Sequence, residues 1–215
     1  MTKTLYVTDL DGTLLTSKHR ISPYSLEIIN ELVAKGMLFT YATARSVVSA
    51  SVVTEGLATN IPVIAYNGAF IINPATNEML TSTFFTKEEA TYVRSVLAKC
   101  GISPLVYAYV NGEEKVSWIT SKENEGIRYY LEMRKGDKRF RPLEEEKDLY
   151  DGEMFYFSCI GEQEELQPIF DVFSKDERYT CTLKQEIYRT EYWCEILPKK
   201  ATKAEAIGQL KKLWN

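Results

Sequence analysis

Three short apolar runs open the chain, and the polar residues that end them constrain the fold more than any other feature. Leu5–Leu10 (LYVTDL), Met37–Ala42 (MLFTYA) and Ile61–Tyr66 (IPVIAY) have strand length and carry apolar residues at both parities. A strand with one solvated face alternates apolar and polar residues, whereas a strand that is apolar throughout is covered on both faces. Between the first two runs, Ser22-Pro23 supplies an N-cap and a first helical residue. The spacing predicts a helix to about Lys35, with Gly36 as its stop. A second helix is expected over Val47–Leu57, on a segment rich in valine and serine, which are moderate helix formers. This order of strands and helices is the pattern of a parallel, doubly wound α/β sheet, whose ligands bind at the carboxyl ends of the strands.

The residues at those ends carry chemistry. Asp9 and Asp11 flank Leu10 at the end of the first run, and Gly12-Thr13 follow. Thr43 ends the second run, ahead of Ala44-Arg45, and Asn67-Gly68 follows the third. Two carboxylates can bind Mg²⁺, a hard cation that takes oxygen ligands and often shares them with phosphate. A carboxylate can also attack phosphorus, and a neighbouring one can protonate the leaving oxygen and then activate water. Residues i and i+2 lie about 6.6 Å apart along a strand, so a bend after Asp9 is needed to focus both groups. Gly12 suits that bend, and the N–H groups of the turn can hold phosphate oxygens. The hydroxyl of Thr43 can bind a phosphoryl oxygen. Each residue also has a plainer role open to it: Asp9 and Asp11 as turn formers, Thr43 as a helix cap, Asn67-Gly68 as a generic turn, and Arg45 as a surface cation.

The texture changes after Phe70. Asn73–Asn77 reads as a hairpin turn. Thr86-Lys87-Glu88-Glu89 has capping-box spacing and opens a helix to about Lys99. Strands are expected over Pro104–Val110 and Glu114–Ile119, joined by Asn111-Gly112, a hairpin signal. A helix over Lys122–Lys135 and a charged loop over Arg139–Asp151 follow, with Glu144-Glu145-Glu146 solvated. Met154–Ile160, Tyr179–Tyr188 and Tyr192–Leu197 read as strands, and Gln163–Ser174 as a helix. Tyr107, Tyr109, Trp118, Phe155, Phe157 and Trp193 are expected in the core of this region, because half of each strand faces inward. The whole is an α/β cap, residues 84–197, inserted into a core of residues 1–83 and 198–215. Core style returns with Thr202-Lys203-Ala204-Glu205, a second capping box. It places Lys203 in the first turn of a helix expected to reach the end of the chain, where a lysine can neutralise charge on a phosphorylated carboxylate. Lys199 and Lys200 compete for that role.

Composition narrows the partners. With 26 basic and 30 acidic residues the net charge is −4, which argues against a general nucleic-acid or anionic-membrane surface. No apolar stretch is long enough to span a bilayer, and the first residues lack the form of a signal peptide. Cys100, Cys159, Cys181 and Cys194 form no CxxC pair, and His19 is the only histidine, in a polar loop. Packed thiols in a reducing cytoplasm are expected, without a structural zinc site.

Asp9-Leu10-Asp11-Gly12-Thr13-Leu14 resembles the first motif of haloacid dehalogenase-like phosphatases, and nearly the whole chain is similar to their Cof-type branch, which carries a large α/β cap between the second and third motifs. The resemblance implies a Mg²⁺-dependent phosphomonoester hydrolase that forms an aspartyl-phosphate on small phosphorylated metabolites, sugar phosphates or cofactor phosphates. It implies Asp9 as nucleophile and metal ligand, Asp11 as general acid/base and metal ligand, Thr43 as the second motif and Lys203 as the third. Gly12, Thr13, Ala44, Arg45, Asn67 and Gly68 would meet the substrate; Ala44 stands where many relatives have glycine. The fourth, acidic motif has no counterpart before Asn215. On this reading the metal site is incomplete and one edge of the first strand is open, to be covered by a second copy or a swapped segment. The alternative is a catalytically incomplete relative that binds a phosphorylated ligand or a protein partner.

Overall fold

A computed structural model describes residues 4–186 and 189–213. The chain divides into two compact units, Met1–Thr83 with Lys200–Asn215, and Phe84–Lys199. The first is Rossmann-like, and the second is an α+β insertion with its own sheet and core.

In the first unit, β1 (Leu5–Thr8) and β2 (Leu38–Tyr41) pair in parallel. A parallel bridge from Ala42 to Ile64 extends the sheet to β3 (Val63–Ala65). Two antiparallel strands, β4 (Phe70–Ile72) and β5 (Met79–Ser82), complete it. The crossovers are α1 (Pro23–Ala34), capped by the Ser22 hydroxyl, and α2 (Val47–Val53), capped by Ser46. α6 (Lys203–Leu213) lies on one face, where Ala206, Ile207 and Leu210 pack against Leu5, Val7, Ala42, Ile64 and Ile71. Tyr41 and Val53 are buried. Among the described residues β1 has β2 as its one strand partner, and Tyr6 is exposed.

The second unit is a six-stranded sheet in the order β10-β11-β9-β6-β7-β8. Its strands are β6 (Leu105–Val110), β7 (Glu113–Ile119), β8 (Phe140–Leu143), β9 (Glu153–Gly161), β10 (Tyr179–Gln185) and β11 (Tyr192–Pro198). All pairs are antiparallel except β7 with β8. α3 (Lys87–Lys99) and α5 (Gln163–Phe173) supply Val93, Leu97, Leu166 and Phe173 to one core with Val106, Phe157 and Ile196. The capping box at Thr86 forms in both directions, with Glu89 N donating to the hydroxyl and Thr86 N to the Glu89 carboxylate. Asn111 and Gly112 both have positive φ, +52° and +81°, as the tight β6–β7 turn requires.

Several boundaries differ from expectation, each for a local reason. The first strand stops at Thr8, because Asp9 turns its side chain onto the amide of Leu10 at 2.7 Å. α2 ends at Val53, where the Thr54 hydroxyl returns to the Ala50 carbonyl at 2.9 Å. The Arg139–Asp151 segment is not all loop: Phe140–Leu143 is β8, paired in parallel with β7 despite its proline. Glu144, Glu145 and Glu146 are solvated. α4 (Glu125–Glu132) starts at Glu125 rather than Lys122, since the Asn124 side chain accepts from Ile127 N at 2.8 Å and so defines the cap. The end of the expected Tyr179–Tyr188 strand lies outside the described residues, as do the last two positions of the expected C-terminal helix. Tyr107, Trp118, Phe155 and Phe157 are buried, while Tyr109 and Trp193 are half-buried.

Candidate active site

The polar residues at the ends of β1, β2 and β3 all fall in the first unit, along with the start of α6. Asp9 leaves β1 in extended conformation, and a wide turn follows, closed by Leu15 N donating to Leu10 O at 2.9 Å. Gly12 sits in it at φ +71°, the left-handed conformation that a glycine adopts without cost. The carboxylate of Asp9 accepts from Leu10 N at 2.7 Å and pairs with the ammonium of Lys203 at 2.7 Å. Lys203 is thus the lysine at Asp9, and Lys199 and Lys200 are exposed. The Thr202 hydroxyl accepts from Glu205 N at 3.2 Å. One half of the expected capping box is therefore formed, since Thr202 N goes to the Lys200 carbonyl at 3.0 Å.

Asp11 is held by Arg45 in a fork: Nε donates at 2.8 Å to one carboxylate oxygen and Nη2 at 2.6 Å to the other. The hydrogen bond from Arg45 holds the Asp11 carboxyl below the usual carboxylate range, against partial desolvation and with help from the Arg45 charge. Thr43 is fully buried. Its hydroxyl accepts from Arg45 N at 3.1 Å, so it shapes the loop that aims Arg45, while Ser46 caps α2. Ala44, Gly12 and Thr13 are exposed beside these charges.

The loop after β3 is more strained than its sequence suggests. Tyr66, Asn67 and Gly68 have successive positive φ values of +48°, +55° and +105°. Tyr66 N donates to the Arg45 carbonyl at 3.0 Å and Asn67 N to the Thr43 carbonyl at 2.9 Å, which ties this loop to the second one. A Cβ on Gly68 would lie 2.2 Å from the Thr202 carbonyl oxygen. Gly68 is what lets the start of α6, with Lys203, approach the strand ends. The sequence pointed to Thr202 as the cap that places Lys203, but not to Tyr66, since a left-handed tyrosine has no sequence signature.

Among the described residues no group of three or more His, Cys, Asp or Glu is placed to hold a metal ion. Mg²⁺ commonly takes one or two protein carboxylates, with phosphate and water completing its shell, and the hard-oxygen pair Asp9 and Asp11 suits that donor set. Chemically, the cluster offers two carboxylates, two cations and a buried hydroxyl from three chain segments.

The family model for haloacid dehalogenase-like hydrolases matches residues 6–215. The chain belongs to the haloacid dehalogenase-like hydrolases. It is similar to a crystal structure of a Thermotoga maritima protein, with TM-score 0.75 and 23% identity over 100% of this chain and 76% of that one. A sugar phosphatase of subclass IIB in the same superfamily superposes with TM-score 0.70 and 19% identity over 99% and 76%. A segment of 60 residues is 38% identical to an HMP-PP phosphatase of Serratia proteamaculans, covering 28% of this chain and 22% of the relative. In curated relatives from Buchnera aphidicola, Haemophilus influenzae and Mycoplasma pneumoniae the matched stretch spans 24%, 39% and 36% of the relative's length. The haloacid dehalogenase-like fold thus extends over both units of this chain. No helix among the described residues is long and apolar enough to cross a membrane.

Proposed function

We propose that this haloacid dehalogenase-like chain is a cytoplasmic phosphomonoester hydrolase for small phosphorylated metabolites, with Asp9 as nucleophile. One observation carries the reading: the Asp9 carboxylate meets Lys203 at 2.7 Å while Asp11, two residues on, is held separately by Arg45. The two acids therefore sit in different environments, which suits two different roles.

Asp9, oriented by Lys203, attacks phosphorus, and an aspartyl-phosphate forms as the P–O bond to the leaving group breaks. Asp11, freed when Arg45 turns to the phosphate, takes up a proton from solvent and gives it to the leaving oxygen. It then takes a proton from water as that water attacks the phosphorus and releases Asp9. Arg45 changes partner, from the Asp11 carboxylate to the phosphate, since a dianion is the stronger match for a guanidinium fork. Thr43 and the turn amides at Gly12 and Thr13 bind phosphoryl oxygens, and Ala44, Asn67 and Gly68 line the approach. Asp9 and Asp11 are the residues that would hold Mg²⁺, which supplies neutralisation of phosphate charge. Residues 84–197 act as a cap that selects the leaving group. The sugar phosphatase and HMP-PP phosphatase among the similar proteins support sugar phosphates or cofactor phosphates as the substrate class.

The test is turnover of a panel of phosphorylated metabolites by the purified chain, with Mg²⁺ and with a chelator. Release of phosphate that requires Mg²⁺ is expected. A second reading, a binder of phosphorylated ligands without turnover, is favoured by the neutralisation of each carboxylate by its own cation. Tight binding of a phosphosugar with no phosphate release at any Mg²⁺ concentration supports that reading and overturns the first.

A further inference from the structure

The four cysteines, separated by 13 to 59 positions in the sequence, meet in one core of the second unit. Cys159 and Cys194 are fully buried members of it, and Cys100 and Cys181 pack against it half-buried. Cys159 lies directly opposite Cys194 across β9 and β11. Cys181 stands diagonally from Cys194 on the neighbouring strands, opposite Ile196, while Cys194 is opposite Leu183. Their sulfurs are 3.7 Å apart. β10 is an edge strand of the sheet, and Cys181 is half-buried where Cys194 is fully buried.

We propose that Cys181 and Cys194 are a thiol oxidation site that takes a hydroperoxide as oxidant and closes to a disulfide. The half-exposed Cys181 thiolate attacks the terminal oxygen of the hydroperoxide; the O–O bond breaks, giving a sulfenic acid at Cys181 and the corresponding alcohol or water. The sulfur of Cys194 then attacks the sulfenyl sulfur, the S–O bond breaks, and the proton of Cys194 leaves with the hydroxyl as water. Two electrons pass from the two sulfurs to the peroxide, and one S–S bond forms. A disulfide needs about 2.05 Å between sulfurs, so the sulfurs must close by about 1.7 Å from their 3.7 Å separation. The order of attack follows from burial and bonding. The hydrogen bond to Cys181 and desolvation push the Cys194 thiol up, which keeps it protonated and leaves Cys181 to react first. The resting state in a reducing compartment is the dithiol, and the disulfide is transient. This site is independent of the phosphatase reading.

The test treats the reduced 215-residue chain with hydrogen peroxide, counts free thiols after denaturation, and maps disulfides by a non-reducing digest. Two of the four thiols are lost, one peptide pair joins Cys181 to Cys194, and a dithiol reductant reverses both changes. Cys181→Ser abolishes the link and Cys100→Ser retains it. A link between other cysteines, sulfinic acid at Cys181 with Cys194 still a free thiol, or four thiols surviving in a chain shown to be folded would each overturn the proposal.

Discussion

Among the arginines that grip a carboxylate with a forked pair of bonds, Arg45 in the first unit and Arg139 in the second have different settings. Arg139 holds Asp137 at 2.9 and 2.5 Å and also reaches Glu114 at 2.7 Å. Its side chain is 12% exposed and those of Asp137 and Glu114 are 13% and 17%. Arg45 holds Asp11 with equal geometry, but the Asp11 side chain is 48% exposed. The first pair is enclosed and costly to break, because removing one partner leaves charge stranded away from water. The second can exchange its partner for a ligand at small cost. The same contrast runs through the two units. α3 buries Ala90, Val93, Val96 and Leu97, while α1, of similar length, buries none of its residues and exposes Tyr24, Ile28 and Leu32. The inserted unit carries a dense core of its own, whereas the site-bearing unit spends its polar residues at strand ends, where a substrate can displace their partners.

The largest effect on stability is expected at the enclosed pair. Arg139→Ala should destabilise the second unit by roughly 3–5 kcal/mol, read as a lowered midpoint in urea unfolding. A change near zero would mean that the two forks are equivalent. Next comes Gly68→Ala. Its Cβ would strike the Thr202 backbone, and its φ of +105° is one that alanine resists, so a loss of about 1–3 kcal/mol is expected. Displacement of Lys203 should lower turnover as well, and full activity in a normally stable variant would remove Gly68 from the site. Arg45→Ala should change stability by less than about 1 kcal/mol yet raise KM strongly, which unfolding curves and initial rates measured side by side would separate.

Acidity sharpens the same comparison more gently. Desolvation raises the Asp137 carboxyl, but the hydrogen bonds and charge of Arg139 outweigh it and leave the group below its ordinary 3.8. A depressed folded-state value means that this stabilisation is complete above the unfolded pKa and lost as pH falls through the folded one. Thermal midpoints of wild type and Asp137→Asn should therefore differ at pH 6 and converge in strong acid. A constant difference across that range would contradict the assignment.

Local rules made much of the fold legible. Ser22-Pro23, the Thr86 box and Asn111-Gly112 are short-range devices whose bonds depend on neighbours in sequence, and each forms where its residues stand. What escaped was long-range or competitive. β8 contains arginine and proline, and only its pairing with β7 makes it a strand. Asn124 captured the helix start from Lys122 because a side-chain cap outweighs propensity. The meeting of Cys181 with Cys194 depends on strand register, which no spacing reveals. At the site, Asp9, Asp11 and Gly12 could be read from one hexapeptide. Lys203, 194 positions away, was expected beside the nucleophile from its cap spacing and is the cation at Asp9, whereas Arg45 as the partner of Asp11, 34 positions on, could not be read. The left-handed Tyr66 is forced by the loop bonds to Thr43 and Arg45, not by its own preference.

The central claim is that Asp9 is a nucleophile set apart from Asp11 by its own cation. The most direct measurement is the steady-state phosphatase rate of Asp9→Asn beside wild type, on a phosphorylated metabolite the wild type turns over, with unfolding curves for both. The account predicts that Asp9→Asn loses phosphate release to background while its unfolding midpoint stays close to wild type. Turnover at the wild-type rate in Asp9→Asn would contradict it.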